Sequence, residues 1–148
     1  TAIAFQNDNG GFELRSAPYT GNANGFKGAN APKGISTIFR FNNTPVVVFE
    51  GFMDMLSFAT LCGGVKHNYL VLNSVALVGR AIKALKNYKN TIFLSLDNDK
   101  GGDDATKKLL TALPSAIDIR SRFSIFKDTK CKDVNEYLQA KRKYHLLL

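Results

Sequence analysis

Apolar runs that do not alternate are the feature that most constrains this chain of 148 residues. Val46-Val47-Val48-Phe49 is followed by Tyr69-Leu70-Val71-Leu72, and then by Ile92-Phe93-Leu94-Ser95-Leu96 within residues 91–96. A strand with one wet face alternates apolar and polar positions, whereas a strand apolar throughout is covered on both faces. In a single domain of this length, that points to a parallel sheet wrapped by helices. The intervening segments supply the helices. Residues 51–62 have helical content and stop at Gly63-Gly64. Residues 75–88 place Lys and Arg on a polar side, and residues 103–113 are ended by Pro114. Residues 116–119 read as a fourth strand, residues 123–126 as a candidate fifth, and residues 133–142 as a last helix with Asp133 as its N-cap. The expected architecture is therefore α/β: about four parallel strands flanked by helices.

The first 43 residues differ in character. Ile3–Gln6 and Phe12–Arg15 are short strand-like runs around Asn7-Asp8-Asn9-Gly10-Gly11, which reads as a hairpin turn. Residues 21–34 are rich in Gly, Asn and Ala, include Lys27 and Lys33, and lack periodicity, so a loop is expected there. Residues 1–43 thus form a hairpin-and-loop appendage, and residues 44–148 the main domain. Two cysteines, Cys62 and Cys131, are too few for a disulfide framework or a self-contained four-thiolate zinc site. No apolar run is long enough to span a bilayer and the start lacks a signal-peptide pattern, so a cytoplasmic protein is expected. Lys plus Arg exceed Asp plus Glu by 20 to 12, a formal charge of +8 that favours a polyanionic partner such as nucleic acid.

Against that positive background, the acidic residues fall at strand ends. Glu50 follows the first apolar run, and Asp97 and Asp99 follow the third. Ligands of open α/β sheets bind at the carboxyl ends of strands, so these acids are placed to converge. Two carboxylates this close repel each other unless a cation sits between them, and oxygen donors with open positions suit Mg²⁺ or Mn²⁺. Taken alone, Asp97 and Asp99 also fit an ordinary polar turn into Gly101-Gly102. An EF-hand counted from Asp97 fails, because Lys108 stands where its closing Glu belongs and a strand precedes the motif. An aspartyl phosphatase would carry Asp-x-Asp at its first strand. A receiver domain would leave the Glu50-Gly51 turn and the positive charge unexplained.

Glu50-Gly51-Phe52-Met53-Asp54, after an apolar strand, resembles the first motif of the Toprim domain. Asp97-Asn98-Asp99-Lys100-Gly101-Gly102-Asp103-Asp104-Ala105 resembles its second, and Lys132-Asp133-Val134-Asn135-Glu136 resembles the acidic stretch that closes the region in primase-like proteins. The resemblance covers residues 44–142, and Glu-Gly-Phe-Met-Asp favours the primase branch. Residues 5–15 are similar to the segment leading into Toprim in primase-like proteins of mobile elements.

The resemblance implies divalent-metal-dependent nucleotidyl transfer, most simply primer synthesis from nucleoside triphosphates on single-stranded DNA. A Toprim nuclease or topoisomerase-like enzyme and a non-catalytic docking module of a mobilisation complex are the alternatives. It implies Glu50 as acid/base carboxylate or metal ligand, and Asp97 and Asp99 as holders of Mg²⁺ or Mn²⁺. Asp54 and Asp133 would be supporting or second-metal carboxylates. Asp54 equally fits a helix N-terminal charge and Asp133 a helix cap. Asn135 stands where some relatives carry another acid. Gly51, Gly101 and Gly102 would let the backbone approach phosphates. Arg15, Lys27, Lys33, Arg40, Arg80 and Lys83 are candidate phosphate or template contacts, and Phe12, Tyr19 and Phe26 candidate stacking groups. A helicase or another replication or mobilisation protein is a candidate partner. The ending Tyr144-His145-Leu146-Leu147-Leu148 and the lack of a zinc module suggest a piece of a longer chain, with weak activity by itself.

Overall fold

The computed structural model describes residues 1–146; Leu147 and Leu148, the end of the expected main domain, lie outside the described residues. The chain begins with β1 (Ile3–Gln6), β2 (Phe12–Arg15), β3 (Lys27–Ala29) and β4 (Ser36–Ile38). Then come β5 (Val46–Phe49), α1 (Phe52–Leu61), β6 (Asn68–Val71) and α2 (Val78–Leu85). β7 (Ile92–Ser95), α3 (Lys100–Ala112) and β8 (Ala116–Asp118) follow, and β9 (Ile125–Phe126), β10 (Thr129–Lys130) and α4 (Val134–His145) close the chain.

The main sheet has the order β4-β6-β5-β7-β8. β6, β5, β7 and β8 run parallel, and β4 adds an antiparallel edge. Alternate residues of central β5 feed opposite layers, as strand geometry requires. Val46 and Val48 join Leu70, Leu94, Ala81, Leu85 and Leu109 on the side of α2 and α3. Val47 and Phe49 join Tyr69, Phe52, Met55, Phe58 and Val134 on the side of α1 and α4. All four β5 residues are buried, which is why the run lacks alternation. Because β5 and β7 are parallel and in register, the residues after Phe49 and Ser95 emerge at one edge.

Several elements depart from the sequence expectation. Residues 21–34 contain β3, which pairs with β2 and makes the appendage a three-stranded sheet. A three-residue strand centred on Gly28 carries no periodic signal. β4 belongs to the first 43 residues, yet it pairs with β6 of the main sheet. The second helix starts as a 3₁₀ turn, Val75–Leu77, whose cap Ser74 accepts from the Ala76 N–H. α3 starts at Lys100, because Asp99 caps it, and α4 continues to His145. Residues 123–126 give the end of a 3₁₀ turn and the two-residue β9, which pairs with β10 outside the main sheet.

Asn68 ties the amino-terminal segment to this sheet. Its Oδ1 accepts from the N–H groups of Arg40 (2.8 Å) and Phe41 (2.9 Å). Its Nδ2 donates to the Phe41 carbonyl and to Tyr88 Oη, both at 2.8 Å. Removing a buried partner strands the groups it satisfied. Asn68→Ala is therefore expected to destabilise the chain by about 2–3 kcal/mol. Denaturant unfolding checks this, since an unchanged midpoint would show that the amide does not hold the segment.

Candidate active site

The acids gather at the carboxyl edge of the sheet. Glu50 leaves β5, and Oε2 of its half-buried side chain is enclosed without a hydrogen-bond partner. Burial, and then the nearby Asp97 and Asp99, push its carboxyl up to about 7 against the pull of Lys132. Asp54 lies one turn on, in the first turn of α1, and is 7% exposed. Its Oδ1 accepts from the Asn135 N–H at 3.1 Å. Burial, Asp133 and Asp97 push Asp54 up to about 8. Asp97 follows β7, is buried, and titrates above the ordinary carboxylate range because of that burial, with Lys132 opposing. Asp133 caps α4, its Oδ1 accepting from the Glu136 N–H at 2.7 Å. Asp54, Asp97 and Asp133 each offer a carboxylate oxygen, all within 4.8 Å of one another. Three acids this close with few internal donors form a set that fits a hard divalent cation.

Asp99 divides its two oxygens between a helix cap and Lys132. Its Oδ1 accepts from the Gly102 N–H at 2.9 Å, capping α3, and this bond holds its carboxyl below the ordinary range. Its Oδ2 faces Lys132 Nζ at 3.1 Å, and the same ammonium lies 3.1 Å from Asp97 Oδ2. Gly102 is needed for a close approach within the chain: a Cβ there would collide with the Asp97 carbonyl oxygen. Gly51 lies in the acidic cavity wall, directly before α1, and Gly101 sits beside Asp99.

The appendage supplies the opposite charge. Arg15 and Lys27 line the same cavity of about 270 Å³ as Glu50, Asp54, Asp97 and Asp133. Arg15 lies over the Phe52 ring at 5.5 Å from its centroid, and Phe5 stacks on that ring. The small sheet is thereby fixed against the start of α1. Lys33, Arg40, Arg80 and Lys83 do not line this cavity. Arg80 Nη1 instead donates to the Lys33 carbonyl at 3.0 Å. Phe26 and Tyr19 are exposed and flank a separate groove with Pro18.

Two polar cavity residues, Lys132 and Asn73, have no role assigned from the sequence. Lys132 directly precedes Asp133, so adjacency was its one signal. Asn73, after β6, adopts φ 62°, and its N–H donates to the Glu50 carbonyl at 3.0 Å. Its Nδ2 donates to Gly34 O and Ser36 Oγ, both at 2.9 Å. Asn is among the side chains that tolerate this backbone region.

A Toprim-like family model matches residues 47–138, the span from β5 through α4 that builds this edge. The chain belongs to the Toprim-like family. Among solved structures, this Toprim-like chain is similar to the primase fragment of the bacteriophage T7 primase-helicase protein, with a TM-score of 0.66 and 18% identity. That match covers 99% of this chain and 60% of the fragment, so the chain spans well under the whole of that relative. It is also similar to a chain in the T7 lagging-strand DNA polymerase structure with primase domains bound to an RNA/DNA hybrid and dTTP. There the TM-score is 0.61 at 19% identity, covering 99% of this chain and 74% of that one. No curated protein sequence matches it.

The raised carboxyls have a consequence for stability. Glu50 and Asp54 bind protons more tightly folded than unfolded, so their contribution is full at low pH and declines as pH rises through about 7 and 8. Metal-free protein should therefore melt at lower temperature at pH 8.5 than at pH 5 (roughly the limits of that window), and Asp54→Asn should flatten the decline. A melting temperature independent of pH across that window would contradict the burial and crowding of these acids.

Proposed function

We propose that this chain is the catalytic Toprim region of a DNA-primase-like protein, joining nucleotides on a single-stranded DNA template. The observation that carries this reading is the enclosed, unpartnered Glu50 Oε2 beside the Asp54, Asp97 and Asp133 carboxylates, faced by Arg15, Lys27 and Lys132. The shared fold with the T7 primase fragment supports the primase branch, and the likeness of residues 5–15 supports a relation to mobile-element primases. The second T7 structure, with its polymerase and primase domains, supports a replication protein as partner.

In the proposed reaction a 3′-hydroxyl attacks the α-phosphorus of a nucleoside triphosphate. The O3′–P bond forms, the bond to the bridging oxygen breaks, and pyrophosphate leaves. Glu50, with its Oε2 unpartnered, takes the hydroxyl proton. Asp54, Asp97 and Asp133 would hold Mg²⁺ or Mn²⁺. When bound, such an ion neutralises the triphosphate and stabilises oxygens that gain charge. Arg15 and Lys27 face the phosphates and the template from the appendage wall. The remaining candidate contacts, Lys33, Arg40, Arg80 and Lys83, sit outside the cavity and would serve only a strand running beyond it. The appendage, residues 1–43, thus adds Arg15 and Lys27 to a cavity whose carboxylates and Lys132 come from the main domain, residues 44–148.

Primer synthesis by the full-length protein on single-stranded DNA tests the reading. Glu50→Gln should lower the rate by about 10²-fold or more while Mn²⁺ still raises the melting temperature. Asp97→Asn should abolish both. Primer synthesis that survives both substitutions would overturn the catalytic assignment, and metal-dependent DNA cleavage in its place would favour the nuclease alternative.

A further inference from the structure

The turn at Asp97-Asn98-Asp99 already holds a cation, and that cation belongs to the chain. Lys132 Nζ lies 3.1 Å from one oxygen of each aspartate. The backbone of Lys132 is pinned on both sides: its carbonyl accepts from the Asn98 N–H at 2.6 Å, and its N–H donates to Glu136 Oε2 at 2.7 Å. Its side chain is 48% exposed. A fixed backbone with a half-exposed, four-carbon arm delivers an ammonium at high local concentration and lets it leave without unfolding anything. Leaving would not disturb the helix start either, because Asp99 caps α3 through Oδ1 and meets Lys132 through Oδ2. Asp97 is common to both arrangements, the Lys132 bridge and the cluster with Asp54 and Asp133.

We infer that Lys132 is a tethered counter-ion that exchanges with a divalent cation held by Asp97 together with Asp54 and Asp133. In the metal-free chain the ammonium offsets the repulsion between the Asp97 and Asp99 carboxylates. A divalent cation held by the Asp97 carboxylate displaces it, since two cations at contact distance repel strongly. The ammonium swings out on its arm to the rim of the cavity, where Arg15 and Lys27 already stand, and becomes a third positive group facing an anionic ligand. Loading the metal and arming the cavity for phosphate are then one event. This inference rests on the metal-dependent reading above.

Mn²⁺ binding to the full-length protein, followed through the paramagnetic resonance of the free ion, tests the exchange. Lys132→Met should bind Mn²⁺ roughly three- to tenfold more tightly, as expected when two half-exposed ion pairs no longer compete. Its metal-free form should melt at lower temperature. In the unaltered protein, Mn²⁺ should raise the acylation rate of the Lys132 amine several-fold, read by mass spectrometry, and this measurement decides the matter if Lys132→Met does not fold. Equal or weaker Mn²⁺ binding in the variant, or Lys132 acylation indifferent to Mn²⁺, would overturn the exchange and leave the metal-dependent reading in place. Failure of Mn²⁺ to bind either protein would overturn that reading and the exchange with it.

Discussion

Mutual repulsion among carboxylates is the constraint around which this edge of the molecule is organised. Asp54, Asp97 and Asp133 bring oxygens within 4.8 Å of one another, and Glu50 stands beside them with Oε2 unpartnered. A chain with a formal charge of +8 has cations to spare, yet it places these acids where burial withholds water from them. Burial, and then this crowding, raises the carboxyls of Glu50 and Asp54, and the Lys132 bridge answers the same crowding. A divalent cation would answer it more fully than either.

The crowding exists because each acid comes from a different element, fixed by its own device. Asp97 is positioned where α3 packs so closely on the end of β7 that residue 102 has no room for a Cβ. Arg120, paired with Asp103 and Asp118, also reaches the Asp97 carbonyl at 3.4 Å. Asp54 is held by the backbone N–H of Asn135, and Ser57 Oγ is 3.1 Å from Asn135 Oδ1. The last helix therefore completes the site, packed against α1 with Val134 buried beside Phe52 and Met55. Asp133 acts both as the cap of that helix and as a member of the cluster, two roles that use different requirements of one carboxylate.

The sheet was legible in the sequence because burial on both faces leaves its mark at every residue of β5, and parallel pairing then sends Glu50 and Asp97 to one edge. The cap at Asp133 was legible because capping needs a short polar side chain directly before a helical pattern. β3 and β4 were not, since three residues are too few to show a period and their pairing is set by distant partners. Charge alone gave no direction, so Arg15 and Lys27 reach the cavity while Lys33, Arg40, Arg80 and Lys83 do not. Lys132 opens the closing motif, but its role is not legible among 20 basic residues, because what selects it is a long-range contact between the β10–α4 connection and the turn after β7. The split roles of the two Asp99 oxygens likewise depend on a helix starting one residue later, which the Gly101-Gly102 pair disguised as a turn.

The central claim is that folding gathers Asp54, Asp97 and Asp133 to hold a hard cation. Anomalous diffraction from crystals grown with Mn²⁺ tests it most directly. The account predicts a manganese peak within bonding distance of oxygens from all three carboxylates. Clear density for the three side chains with no such peak among them, at saturating Mn²⁺, would contradict it.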